Sequence, residues 1–159
     1  DFGGRRKPMN AMAYHEAGHA AAAIAKGVPL QRLSIVPDSD LGGYSVVGSS
    51  GRNHAAVLFT VFAGPAAEAI ATNRNPLDCV SNSDWDAAAE AGRALGGAKY
   101  GPVIADAVAW CKQNWPAIEA LAKALEDRQT MHGWAAEQVV TMAWRAANLS
   151  WNPIYELHD

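Results

Sequence analysis

The stretch Asn10-Ala11-Met12-Ala13-Tyr14-His15-Glu16-Ala17-Gly18-His19-Ala20-Ala21-Ala22-Ala23-Ile24-Ala25-Lys26-Gly27 decides how the rest of the chain is to be understood. It is alanine-rich and free of proline, with Gly27 placed as a stop and Pro29 just beyond. These signals predict a helix over 10–26. Inside it stands His-x-x-x-His with a glutamate after the first histidine. Residues four apart share one helix face, so His15 and His19 can address a single metal ion. Neutral imidazole is a good zinc ligand. Glu16 lies one step further round, beside the ion, where it can move a proton as general base and acid. Small neighbours, Ala11, Ala13 and Ala20 to Ala23, suit a buried helix better than a solvated pair of histidines.

Working outward, Gln31–Val36 and Gly43–Val47 read as two short strands joined by a loop with Asp38, Asp40 and Gly42. Residues 48–52 read as a turn, and 53–72 as a second helix. A connection over 73–83 rich in Asn, Asp, Pro and Ser follows. A helix over 83–95 ends at Gly96-Gly97. Residues 102–127 form one long helix or two, since Pro116 disfavours continuity. A last helix covers 134–147. Residues 1–9 are a lead-in, 10–147 the folded domain, and 148–159 a tail. The fold class is mainly α, with a small β-hairpin or sheet.

Composition supports this. Of 159 residues 33 are alanine, the best helix former. Half the chain is hydrophobic and 18% is charged, which argues against disorder. A net charge of −3 argues against nucleic acid as a partner. Cys79 and Cys111 lack Cys-x-x-Cys spacing and point to a reducing, cytoplasmic setting. The apolar run 55–67 is too short to span a bilayer, so no membrane segment is expected. Trp110, Trp134 and Trp144 are expected in helix packing, and Trp85, directly after Asp84, either packs in the same way or shapes a metal pocket.

A catalytic zinc takes three protein ligands and keeps one position open. Candidate third donors are His54, Glu68, Asp78, Asp84, Asp86 and His132. Glu68, in an apolar helical run, either bonds a ligating histidine from behind or faces solvent. Asp84 also reads as an ordinary residue at a helix start. Spacing does not choose between Asp84 and Asp86.

Residues 13–20, Ala-Tyr-His-Glu-Ala-Gly-His-Ala, resemble the zinc-binding helix of the FtsH family of ATP-dependent zinc metalloproteases. Ser34-Ile35-Val36-Pro37 and Leu41-Gly42-Gly43-Tyr44 are similar to its strands near the active site. Ala63-Gly64-Pro65-Ala66-Ala67-Glu68 resembles its Gly-Gly-Arg-x-Ala-Glu helix, with Pro65 where that family has arginine. Ser81-Asn82-Ser83-Asp84 resembles the segment holding the third zinc ligand, shifted by one residue, so Asp86 stays in contention. Asn114–Ala122 and Leu125-Glu126 resemble its long C-terminal helix. The likeness covers roughly residues 10–140.

The resemblance implies a zinc metalloendopeptidase acting on peptide or unfolded protein, with His15, His19 and Asp84 as ligands and Glu16 as catalytic base. It implies an exposed strand edge in 31–47 for pairing with substrate, and allows a homo-oligomer. The expectation is a peptidase domain standing alone, ATP-independent on this chain. The alternative is a non-catalytic zinc-binding regulatory or interaction domain. Glu16 speaks against it, since a structural zinc site needs no base.

Overall fold

Asparagine and glycine signals set the first helix, as the sequence predicts. In a computed structural model, which describes residues 10–36, 43–46 (backbone only) and 53–149, helix α1 runs Ala11–Ala25. The Asn10 side chain accepts the Ala13 N–H at 3.2 Å. At the other end Gly27 takes a left-handed φ of 69°. Its N–H reaches the Ile24 carbonyl, and the Val28 N–H reaches that of Ala23. That is a Schellman ending, closed by contact between Val28 and Ala23.

Strands β1 (Leu30–Ser34) and β2 (Gly43–Val46) pair antiparallel, as expected for a hairpin. A third strand, β3 (Thr130–His132), was not predicted. It pairs antiparallel with the other side of β1, giving the order β2-β1-β3. The Ser34 and Thr130 hydroxyls bond at 3.0 Å across that pair. β1 is therefore central, and β2 and β3 are the outer strands of the sheet among the described residues.

Helix α2 (His54–Thr72) is capped by Asn53 and ends at left-handed Asn73. A 3₁₀ turn, Pro76–Cys79, leads to α3 (Asn82–Ala94). Residues 100–128 form two helices, α4 (Tyr100–Gln113) and α5 (Trp115–Arg128), meeting at Asn114. Pro116 sits in the first turn of α5, where its missing N–H costs nothing. Asn114 holds the junction: its amide donates to the Trp110 carbonyl and its oxygen accepts from the Trp144 indole. α6 (Gly133–Ala146) closes the fold. Predicted residues 1–9, the loop 37–42, the turn 48–52 and most of the tail, 150–159, lie outside the described residues.

The core is built on α1 against α2. Gly18 of α1 faces the backbone of α2: an added Cβ would strike the Ala63 carbonyl and lie 2.7 Å from the Ala67 Cβ. Alanines 17, 20, 21, 63, 66 and 67 line the crossing and are fully buried. α4 and α5 add Cys111, Ile118, Leu121 and Leu125. Trp144 is buried, as expected, and Trp110 partly so. Trp134 is the correction: it is 65% exposed, because its side of α6 turns away from the core. α2 is also long and apolar enough, by length and composition, to cross a membrane; most of it is buried here as the central helix. The two cysteines are buried free thiols.

Gly18→Ala should lower stability by about 1–3 kcal/mol through overpacking at this crossing. Chemical denaturation measures it; an unchanged midpoint would show that α1 and α2 can separate without cost.

Candidate metal centre

α1 presents His15 and His19 from one face, their rings 4.7 Å apart and edge-on. α3 brings Asp84 to meet them. Its carboxylate lies 3.0 Å from His15 Nε2 and 3.1 Å from His19 Nε2. All three residues are buried, and their donor atoms fall within 4.8 Å of one another.

Local sequence explains Asp84's position. Ser81 caps α3 and Asp84 is three residues on. The Ser81 hydroxyl accepts the Asp84 N–H at 3.1 Å, and Asp84 Oδ2 accepts the Ser81 N–H at 3.0 Å. This capping box aims the carboxylate into the fold. Asp86, two residues later, is exposed, as are His54, Asp78 and His132. They stand outside the His15–His19–Asp84 group.

Each ring is backed from behind. His15 Nδ1 lies 3.0 Å from Glu68 Oε1, and His19 Nδ1 lies 2.9 Å from the Thr60 carbonyl. Both supports come from α2. Of the two readings of Glu68, the structure places it behind His15 and not out in solvent. With Nδ1–H donating to an acceptor, each ring turns its Nε2 lone pair inward.

Gly64 makes this possible for His19. A Cβ there would collide with the imidazole ring. Gly64 thus makes room for the His19 ring, while Gly18 lets the helices meet. Nothing local in the sequence singles out Gly64, whose role depends on a partner helix. Trp85 follows Asp84, half turned to solvent, and meets Phe62 edge-on at 5.9 Å.

Electrostatically the cluster asks for a cation. With neutral rings, Glu16, Glu68 and Asp84 bring three negative charges. Arg74, at 3.2 Å from Glu68 Oε2, returns one positive charge. Carboxylates thus outnumber cationic side chains around the histidines, a setting that favours a cation. Without an ion, protons on the two Nε2 atoms bridge to the Asp84 carboxylate, and a bound cation would take the place of those protons. Donors about 2.0–2.2 Å from a tetrahedral zinc stand about 3.3–3.6 Å apart, a few tenths of an ångström more than the 3.0 and 3.1 Å between Asp84 and the two histidines. Glu16 is buried beside the group, and its Oε2 has no hydrogen-bond partner. The residues present thus fit a zinc-sized ion with a neighbouring base.

The titrations follow from the same geometry. Burial opposes ionisation of Asp84, but hydrogen bonds from His15 and His19 outweigh it and hold its carboxyl far below the usual range. Burial likewise opposes a charged His15, yet the bond to Asp84 and nearby carboxylates raise its pKa above 6.5. Burial raises Glu16, partly countered by the two histidines.

Comparison with known proteins gives a distant likeness. No protein-family model matches the chain. An ATP-dependent zinc metalloprotease FtsH of Mycoplasma mobile is 29% identical over 112 residues, 62% of this chain and 16% of the relative. An FtsH of Mesomycoplasma conjunctivae is 30% identical over 105 residues, 58% of this chain and 14% of the relative. The chain thus spans less than a fifth of the length of the curated relatives it matches. It is similar to one part of these metalloproteases.

The pH dependence has a definite sign. His15 and Glu16, both raised on folding, contribute stability at low pH that is lost as pH rises. Asp84, lowered, contributes stability above its ordinary 3.8 that is lost only in acid. The metal-free domain should therefore melt lower as pH climbs through and above the ordinary histidine value of 6.5. With zinc added the slope should reverse, because ligands bind deprotonated. A metal-free melting curve that rises over that window would contradict the geometry.

Proposed function

We propose that this domain is a zinc-dependent peptidase, with His15, His19 and Asp84 holding the metal and Glu16 serving as general base and acid. The observation that carries it is the convergence of two back-supported Nε2 lone pairs and one carboxylate on a single point, with the unpartnered Glu16 oxygen beside it. The distant likeness to zinc metalloproteases supports the same reading.

Zinc bound there would lower the pKa of water toward neutrality and polarise a carbonyl. The chain's own residues do the rest. Glu68 and the Thr60 carbonyl fix both imidazoles in the tautomer that leaves Nε2 free. The capping box holds Asp84. Glu16, raised by burial, takes a proton from attacking water and returns it to the leaving amine. Substrate would be a peptide or an unfolded protein lying along β2, an outer strand of the sheet among the described residues. The free thiols of Cys79 and Cys111 suit work in the reducing cytoplasm.

Purified protein should carry zinc, cleave casein, and stop when a chelator strips the metal. Glu16→Gln should retain zinc and lose at least about a hundredfold in cleavage rate. A zinc-loaded wild type that cleaves no peptide would instead mark a binding domain, and the enzyme reading would fall.

Asp84→Asn should weaken zinc retention far more than Asp86→Asn, measured by metal content after dialysis. The reverse ranking would reassign the third ligand.

A further inference from the structure

We propose that Arg74, an exposed residue outside the metal cluster, is a positioning residue that tunes zinc affinity through Glu68. This rests on the metal-site reading above. α2 ends at Asn73 with a φ of 55°, and the chain turns back on itself. The Arg74 N–H reaches the Ala69 carbonyl at 3.0 Å, which lays its side chain back along α2. One guanidinium nitrogen donates to Glu68 Oε2 at 3.2 Å. The other donates to the Asp78 carbonyl at 3.1 Å, in the 3₁₀ turn before α3.

Glu68 is thereby held at both oxygens, Oε1 by His15 and Oε2 by Arg74. A glutamate side chain has several staggered conformers open to it. Held at one oxygen only, it can swing toward solvent and leave the His15 ring unsupported. Held at both, it keeps the ring's Nδ1–H engaged and its Nε2 aimed inward. Exposed ion pairs contribute little to stability, so the effect belongs in metal affinity and not in the melting temperature. The donor must also reach Asp78 at the same time, which a planar fork does and an ammonium does less well. The same fork links the 73–79 connection to the buried histidine, so this turn and the metal site share one hydrogen-bonded chain.

The test uses the whole chain and measures zinc affinity by competition with a chromophoric chelator, alongside melting of the metal-free protein. Arg74→Ala should weaken zinc binding about tenfold, at the low end of effects of ligand-supporting residues. Arg74→Lys should recover part of the loss. In a Glu68→Gln background, Arg74→Ala should have no further effect. A merely structural Arg74 would lower metal-free melting and act equally in both backgrounds. That result, or unchanged affinity in Arg74→Ala, overturns the proposal. If Arg74→Ala does not fold, Arg74→Gln provides the same comparison. A wild type that takes up no zinc overturns the peptidase reading and this one together; a wild type that binds zinc regardless of residue 74 overturns this one alone.

Discussion

Everything in this molecule depends on how closely α1 can approach α2. Gly18 and the alanines on both sides bring the helices together with almost no side chain between them. Interiors pack at crystal density, so such an approach leaves little room for adjustment. Where the helices do need room, at His19, Gly64 provides it. The outcome is that two imidazoles on α1 lie against hydrogen-bond acceptors on α2. A chain with larger residues at the crossing would move those rings off their supports.

The second constraint is a carboxylate with two loyalties. Asp84 starts α3 and faces the histidines with the same group. Because the cap is built from Ser81 and needs no metal, the carboxylate is already in place before any ion arrives. The cost of gathering negative groups in a dry interior is met partly by Arg74 and, at lower pH, by a proton on His15.

Much of this is legible in the sequence, and the reasons differ from residue to residue. His15 and His19 follow from helical spacing alone. The mainly α architecture follows from alanine and from the glycine and asparagine stops. Asp84 is harder: it shares a helix start with Asp86, spacing does not separate them, and it is the Ser81 cap seen in the fold that turns Asp84 inward. Glu68 is half legible, since an acid in an apolar helix wants a partner such as a histidine, but the sequence leaves solvent open as the alternative. β3 is not legible, because three residues carry no period and its pairing lies in β1, far away in sequence. Trp134 misleads because helical placement does not say which face is buried. Gly64 gives no local sign at all.

The position of β3 also sets an order of assembly. Ser34 and Thr130 are 96 residues apart, whereas His15 and Asp84 are 69 apart. During synthesis the histidines can meet their aspartate while α4 to α6 are still unmade. β1 must wait, one edge bare, until nearly the whole chain has emerged. A bare edge is open to pairing with other chains. The half of the molecule that holds the histidines and the aspartate thus has its parts ready first, and the C-terminal half supplies the strand that pairs with β1.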